Sequence, residues 1–201
     1  MMTAEHRLAS ALGFSPHSGW AAVVVVGGDV DRPEVLARAR VEMADAGLEG
    51  SKQPYHAVEE LPLEEAKRRL ARFSGSAGEM AYDAIRALVG EMRQKKSAPR
   101  AAGILDSSGR TGDSLGAILA SHALIHTADG NHFREALARA CRRCDLDVVR
   151  VRQKDLAGRA AQALVKSPAQ IAATLAALGK AVGPPWGADQ KSAALLAWLL
   201  L

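Results

Sequence analysis

The chain has 201 residues, which suits one domain, and 48% of them are hydrophobic, which is enough for a substantial core. Aromatic residues make up only 4%, so the core must consist mainly of Ala, Leu and Val. The longest apolar run, residues 193–201, is too short to span a bilayer, and the first ten residues are too polar for a signal peptide. We therefore expect a soluble cytoplasmic protein without a membrane partner. The net charge of +4 mildly favours an anionic partner such as DNA or RNA.

Three strands are predicted in the N-terminal part of the chain, after residues 1–8, for which no regular structure is predicted. Apolar residues at 9–14 and 20–26 flank a Ser-Pro-His-Ser-Gly turn, which indicates a β-hairpin. Residues 34–44 alternate between apolar and charged with a period of two, which predicts a strand with one face in water. The same residues are also good helix formers, so a helix is the alternative there.

Helices and two further strands are predicted in the rest of the chain. Helices are expected at 61–73 and 79–96, separated by the Ser-Gly-Ser-Ala-Gly stretch, with a buried strand at 101–105. Asp113 or Ser114 caps the next helix, which breaks at Gly130 and continues to Cys144. A strand at 146–151 and helices at 155–164, 168–182 and 188–201 follow, with a rigid corner at 183–187. This order predicts a single α/β domain over residues 1–201, with a five-stranded mixed sheet flanked by helices.

The turn of the hairpin carries a motif that resembles a known family. In Gly-Phe-Ser-Pro-His-Ser, the residues Gly13, Pro16 and Ser18 are similar to the Gly-Ile-Asp-Pro-Gly-Ser type motif of RuvC-type Holliday-junction resolvases. Asp106 ends the predicted fourth strand and Asp189 opens the last helix, where that family also carries acids. The resemblance implies a ribonuclease-H-like fold (β-β-β-α-β-α-β-α), DNA or RNA as partner, and Mg²⁺ or Mn²⁺ as cofactor.

The chain also departs from that family. Its members are similar in using four carboxylates to hold two metal ions. Carried over, the four positions fall on Ser15, Asp106, Asp189 and near Ser192, so two acids are absent. The two remaining carboxylates are the candidate metal ligands and catalytic residues, and together they could hold one Mg²⁺ with substrate phosphates.

Three functions follow as hypotheses. The first is a RuvC-like nucleic-acid-binding protein with weak or lost nuclease activity. The second is an active metal-dependent hydrolase or nuclease that uses Asp106, Asp189 and histidines such as His17 or His122. The third is a non-enzymatic module that forms homo-oligomers, such as a homodimer, through the apolar tail at 195–201.

Histidines supply a second set of candidates. His122 and His126 are four residues apart on one face of a predicted helix, and Asp129 lies one turn further along. This spacing suits metal ligands, or an acid–base histidine that a carboxylate orients. The same face carries Leu115, Leu119 and Phe133, so packing beneath the sheet is the remaining interpretation. His17, in the hairpin turn, is expected near Asp106.

Candidate substrate-binding residues are Ser15, Ser107, Arg110 and Lys191. Ser107 and Arg110 belong to the loop 106–112, which exposes backbone N–H groups before a helix and suits an anion, although a plain connector needs no ligand. Basic residues between 134 and 159 could follow a phosphate backbone or simply face solvent.

The only two cysteines are spaced as a C-x-x-C pair. Cys141 and Cys144 have the spacing of a redox or metal pair, but no second cysteine pair exists to complete a zinc site. Two reduced thiols at the end of a helix are therefore the favoured interpretation.

Overall fold

A five-stranded mixed sheet, in the order β3-β2-β1-β4-β5, runs through the computed structural model, which describes residues 8–201. The strands are β1 (Leu8–His17), β2 (Trp20–Asp29), β3 (Arg32–Glu42), β4 (Ser97–Asp106) and β5 (Asp147–Arg152). The first three form an antiparallel meander, while β4 pairs in parallel with both β1 and β5. This confirms the predicted α/β class and mixed sheet, and it confirms the strand interpretation for β3.

The hairpin between β1 and β2 is tighter than predicted. His17 pairs with Trp20, so only Ser18 and Gly19 form the turn, and Gly19 adopts a φ of 83° that favours glycine. β1 therefore extends through Ser15 to His17 instead of ending at Phe14. Residues 1–7, for which no regular structure is predicted, lie outside the described residues.

Two predicted helices merge into one. Helix α1 (Leu63–Gln94) continues through the Ser-Gly-Ser-Ala-Gly stretch, so the predicted break at 74–78 is wrong. Phe73, Ala77 and Ala81 are all buried at a spacing of four, so a continuous apolar face crosses the stretch. Burial of that face outweighs the roughly 1 kcal/mol by which each glycine disfavours a helix.

The next predicted helix is divided at a different point. Helix α2 (Leu115–Leu119) begins after Ser114, whose Oγ accepts a hydrogen bond from the N–H of Ala117 at 3.2 Å, as the capping prediction allows. Helix α3 (His122–Arg143) then runs through Gly130, so the break lies at residues 120–121 and the predicted break at Gly130 is wrong. The buried residues Ile125 and Phe133 keep one apolar face across Gly130.

The sheet separates two hydrophobic cores. Helices α1 and α3 cover one face, called here the α3 face, where Leu12, Phe14 and Ile104 are buried. Helices α4 (Leu156–Leu164), α5 (Pro168–Val182) and α6 (Ala188–Trp198), close to their predicted bounds, belong to the other core. That side, where Val24 and Leu105 are buried, is called the α6 face. Because side chains alternate along a strand, each strand residue can be assigned to one face.

The apolar C-terminal tail belongs to the α6 core. Leu195, Leu196 and Trp198 are buried, and Leu199 and Leu201 pack against the same cluster. The hypothesis that the tail offers a free surface for homo-oligomers is therefore wrong, because its side chains already fill the core. Within residues 8–201, no helix is both long and apolar enough to cross a membrane.

Candidate functional site

Ser15, His17 and Asp189 meet at the carboxyl end of β1. The Ser15 hydroxyl donates a hydrogen bond to Asp189 Oδ1 at 3.0 Å, and His17 Nε2 lies 2.8 Å from the same oxygen. Ser15 is 7% exposed, whereas the side chains of His17 and Asp189 are 41% and 34% exposed. A carboxylate oxygen thus sits at the surface between a buried hydroxyl and an exposed imidazole.

The close packing of α6 on β1 sets this geometry. A Cβ atom at Gly13 would lie only 1.8 Å from the backbone oxygen of Ala193, so the helix backbone rests directly on the strand. The corner before α6 is held by Arg38 on β3. Its guanidinium donates at 2.7–2.9 Å to four successive backbone carbonyls, those of residues 182–185. Together these contacts position the first turn of α6, which carries Asp189.

His17 also belongs to an aromatic stack. Its ring stacks on Trp20 with centroids 4.3 Å apart and planes 9° apart, and the guanidinium of Arg40 lies 3.8 Å from the centre of the same indole. A shallow cleft of about 370 Å³ adjoins the stack, with Trp20, Arg38, Arg40 and Gln190 in its wall. The stack restricts the His17 ring, which contacts Asp189, and holds the guanidinium of Arg40 on the indole of Trp20.

Asp106 lies on the opposite face of the sheet. Its Oδ1 lies 3.1 Å from Arg150 Nη2 and 3.9 Å from Arg134 Nε, and it accepts the N–H of Ser107 at 2.9 Å. Ile104 faces α3 and Leu105 faces α6, so the alternation of β4 directs Asp106 toward α3. The fold therefore does not bring Asp106 together with Asp189 or His17, contrary to the expectation from the sequence.

The side chains around Asp189 do not fit a two-metal centre on the α6 face. Mg²⁺ is held in proteins by carboxylates with substrate phosphates and water, and two such ions need several acids. Around the carboxyl end of β1 the contacts of Asp189 are a neutral hydroxyl and an imidazole.

Ser15 and His17 also bond to the carboxylate and not to each other, so the arrangement is not that of a serine nucleophile activated by histidine.

The loop 107–112 contributes Arg110 to a second cavity. This cavity of about 330 Å³ lies on the α3 side, and its walls include Arg110, Asn131, His132 and Arg139. Burial, with the charge of Arg139 nearby, lowers the pKa of His132 to about 4, and its Nε2 has no hydrogen-bond partner among residues 8–201. Lys191, the remaining predicted substrate-binding residue, is exposed on the first turn of α6, next to Gln190.

Three histidines form a cluster where α3 begins. His122 Nε2 lies 3.0 Å from His126 Nε2, and the ring of His56 lies 4.6 Å from that of His126. One nitrogen from each ring lies within 4.8 Å of the other two. His122 and His126 are exposed, so the interpretation that they pack beneath the sheet is wrong.

Asp129 orients one histidine of this cluster. It is 3% exposed, and its Oδ2 lies 2.5 Å from His56 Nδ1 while its Oδ1 accepts the N–H of Tyr55 at 2.7 Å. Burial raises the pKa of Asp129 above its ordinary value, against the opposing effect of these bonds. An orienting role for Asp129 was expected, but the ring that it contacts belongs to His56.

Within the part of the chain that the structure describes, four of the eight Arg and Lys residues between 134 and 159 pair with acids. Arg143 pairs with Glu79 at 2.7 Å, Arg152 pairs with Asp155 at 2.6 Å, and Arg150 pairs with Glu135 and Asp106. These pairs do not favour a continuous phosphate-binding stripe.

The two cysteines are buried and free. Burial raises the pKa of Cys141 to about 12, which opposes the thiolate that redox or metal chemistry needs.

Of the three histidines clustered where α3 begins, His56 is the one that the sequence pattern did not indicate. It sits on a short 3₁₀ helix (His56–Val58) in the long connection between β3 and α1, far in sequence from α3. The one local signal is a Tyr-His pair inside a polar segment, and nothing in that signal names a partner.

Solved structures share this fold at low sequence identity. Thermus thermophilus RuvC matches with a TM-score of 0.54 and 12% identity, over 94% of this chain and 92% of that chain. A structure of T. thermophilus RuvC in complex with Holliday junction substrate matches with a TM-score of 0.53 and 12% identity, over 96% and 92%. No family model matches the sequence, and no curated protein shows significant similarity to it. The likeness confirms the predicted fold class: the chain has the ribonuclease-H-like fold of RuvC.

Proposed function

We propose that this chain is a RuvC-like nucleic-acid-binding protein whose nuclease activity is weak or lost. The observation that carries the proposal is the contact between Ser15 and Asp189. Ser15 stands where the resemblance to the resolvases implies a metal-binding carboxylate, and its hydroxyl donates a hydrogen bond to Asp189. A neutral hydroxyl is a weak ligand for Mg²⁺, so the metal pair that clamps attacking and leaving oxygens lacks its anchor.

The position of Asp106 supports the same proposal. Leu105, a buried apolar residue, faces α6 at the end of β4, whereas Asp106 faces α3 between two arginines. The second remaining acid therefore lies on the opposite face of the sheet from Asp189, one residue beyond the position that faces α6. Its neutralisation by Arg150 and Arg134 suits a structural ion pair better than a metal ligand.

Several features near Asp189 suit a phosphate backbone. The exposed Lys191 lies on the first turn of α6, and Arg40 lies over Trp20 beside the cleft. The positive end of the α6 dipole adds to these charges. Because the similar RuvC structure holds a Holliday junction substrate, four-way DNA junctions are the first partner to test.

The test measures binding and cleavage together. Fluorescence anisotropy with four-way junctions, duplex DNA, single-stranded DNA and duplex RNA, over a range of salt, should give binding that weakens as salt rises. Incubation with Mg²⁺ or Mn²⁺ should leave the bound nucleic acid intact or nearly so. Binding to none of these at low salt, or binding that ignores salt, would overturn the proposal.

Charge variants locate the interface. Lys191→Ala should weaken binding and lower the slope of log affinity against log salt by about 1, as the loss of one phosphate contact does. Arg86→Ala, on the exposed side of α1 and therefore beyond the other face of the sheet, is the matched control and should leave the slope unchanged. Equal effects of the two variants would show that binding does not use the carboxyl edge of β1.

An active metal-dependent hydrolase is the second candidate. The contact between His17 and Asp189 favours it, because an imidazole beside a carboxylate at a surface can move a proton. Its test is a Mg²⁺ and Mn²⁺ titration of cleavage by the wild type, His17→Ala and Asp189→Asn. Metal-dependent cleavage that both variants abolish would favour this candidate over the binding protein.

A further inference from the structure

We propose that His56, His122 and His126 bind one divalent transition-metal ion of the zinc class, with Asp129 as the residue that positions His56. The proposal concerns the α3 side of the molecule, away from Asp189, and it does not depend on the proposed nucleic-acid function. It rests on how the ring nitrogens converge and on how one ring is oriented.

The nitrogen atoms are spaced close to what a zinc ion requires. Tetrahedral coordination with Zn–N bonds of about 2.05 Å places ligand nitrogens roughly 3.3 Å apart. Here His122 Nε2 and His126 Nε2 are 3.0 Å apart, and one nitrogen from each of the three rings lies within 4.8 Å of the other two. Small rotations of the exposed His122 and His126 rings would bring all three onto one ion.

The backbone presents the ligands from two elements. His122 and His126 are four residues apart on the first two turns of α3, a spacing that directs both rings to one side of the helix. His56 comes from the short 3₁₀ helix that packs against the start of α3. An ion at this point would join the connection between β3 and α1 to α3.

Asp129 supplies the outer contact that metal-binding histidines usually have. A carboxylate bonded to one ring nitrogen fixes the tautomer and directs the other nitrogen toward the metal. Asp129 Oδ2 lies 2.5 Å from His56 Nδ1, which leaves His56 Nε2 for an ion. Its second oxygen accepts the Tyr55 N–H, so the carboxylate is held at 3% exposure and cannot swing away.

The donor set selects the class of ion. Imidazole nitrogens suit Zn²⁺, Co²⁺, Ni²⁺ and Cu²⁺, whereas Mg²⁺ and Mn²⁺ prefer oxygen. Three protein nitrogens leave the fourth tetrahedral position for water or an added ligand. The site therefore differs in its chemistry from the carboxylate site that the resolvase resemblance implies.

The experiment measures metal binding directly. Metal is removed from the full chain with a chelator, and Zn²⁺ is titrated in competition with a chromophoric chelator. Co²⁺ is titrated separately, with visible absorption as the signal for tetrahedral coordination. We expect one ion per chain in both titrations, intense tetrahedral Co²⁺ bands, and no competition from millimolar Mg²⁺. Substoichiometric binding, or Co²⁺ bands typical of an octahedral aquo ion, would overturn the proposal.

Variants separate the three-histidine site from binding by a helical histidine pair. His122→Ala and His126→Ala alter exposed side chains, so they should keep the fold and lose the tight binding. Asp129→Asn should keep one ion per chain but weaken its affinity on the order of 10- to 100-fold. His132→Phe, which removes a histidine of the same helix that lies outside the group, is the matched control and should bind as the wild type does.

The decisive variant is His56→Ala. We expect it to lose tight Zn²⁺ binding and the tetrahedral Co²⁺ bands while circular dichroism remains that of the wild type. If His56→Ala binds both ions as tightly as the wild type, only the exposed helical pair holds the metal, and the site assigned here does not exist. X-ray absorption of the Zn²⁺ form, which counts imidazole ligands without any substitution, should give three.

Discussion

At the residue scale, the neutral side chain of Ser15 means that Asp189 has no second carboxylate facing it from position 15. Its hydroxyl is 3.0 Å from the carboxylate, so an acid at position 15 would face Asp189 at close range. Like charges at this distance oppose each other, and a divalent cation relieves the repulsion. We expect Ser15→Asp to lower stability by about 2 kcal/mol, roughly 4–8 °C in Tm for a chain of this size. Mg²⁺ or Mn²⁺ should restore most of that loss in thermal unfolding.

Ser15→Asn is the control for that substitution, because it has nearly the same shape as Asp and can still donate to Asp189. Its Tm should not respond to Mg²⁺ or Mn²⁺. If Ser15→Asp unfolds at the temperature of the wild type without metal, the two side chains do not face each other as described.

His132 makes stability depend on pH. Its pKa falls from 6.5 to about 4 in the folded chain because the ring is buried, with Arg139 beside it. Between these pH values the unfolded chain binds a proton that the folded chain does not, so stability is lost as pH falls from 6.5 toward 4. At 1.36 kcal/mol per pKa unit the full effect is at most about 3.4 kcal/mol. Urea unfolding at pH 7 and pH 4.5 should show it.

His132→Phe keeps a planar ring and removes the titration. The difference in unfolding free energy between pH 7 and pH 4.5 should therefore shrink in this variant. Glu135 lines the same cavity and Asp129 lies on the same helix, but both are present in wild type and variant, so the comparison cancels their contribution. An unchanged pH dependence would show that carboxylates alone cause it.

At the element scale, the contact of α6 with β1 depends on Gly13. An added Cβ would meet backbone atoms of Ala193 at 1.8 Å and of Ala197 at 2.8 Å, so the helix must move. We expect Gly13→Ala to destabilise the chain by about 3 kcal/mol, the upper part of the range for overpacking. Chemical denaturation followed by circular dichroism measures this loss.

Gly75 provides a control of opposite sign. It lies within α1, and apart from its chain neighbours and the backbone of its own helix, no atom of residues 8–201 lies within 4 Å of an added Cβ. Gly75→Ala should therefore stabilise the chain by about 0.5–1 kcal/mol through helix propensity. A similar loss of stability in both variants would mean that the packing of α6 on β1 is not the cause.

Three segments, β3, the β1–β2 hairpin and residues 74–78, show which structures sequence patterns can predict. Period-two alternation placed β3 correctly despite its helix-forming residues, and the turn residues placed the hairpin. The glycines and serines at 74–78 predicted a break that the buried spacing of Phe73, Ala77 and Ala81 overrides. Tertiary burial decided that segment, and local propensity could not reveal it.

The candidate site was predictable only in part. Ser15, His17 and Asp189 do meet, because the fold that the motif implied brings the end of β1 to α6. The orientation of Asp106 was not predictable, because a shift of one residue in the register of β4 moves each of its side chains to the other face. His56 was missed because its contact with Asp129 spans 73 residues.

At the scale of the whole molecule, the sheet separates two polar clusters. Asp189 and its partners lie on the α6 face, and the histidine cluster lies on the side of α3. Substitutions at sites without shared partners usually add within about 0.5 kcal/mol. We expect the unfolding free energy of metal-free Asp189→Asn/His122→Ala to change by the sum of the single changes within that margin.

A pair in direct contact is the comparison for this cycle. His56→Ala and Asp129→Asn remove two ends of one hydrogen bond, so their double variant should depart from the sum by about 0.5–3 kcal/mol. A departure of the same size for the Asp189 and His122 pair would show that the two faces are coupled through the sheet.

The alternation of side chains along β4 also determines how many substitutions would be needed to gather acids on the α6 face. Asp106 cannot serve the α6 face without a change of register, but Leu105 already lies on it. Substituting acids at Ser15 and Leu105 would assemble three carboxylates there with Asp189. Two amino-acid substitutions therefore separate this chain from one with three carboxylates on the α6 face. The strands and helices that would support those carboxylates are already in place.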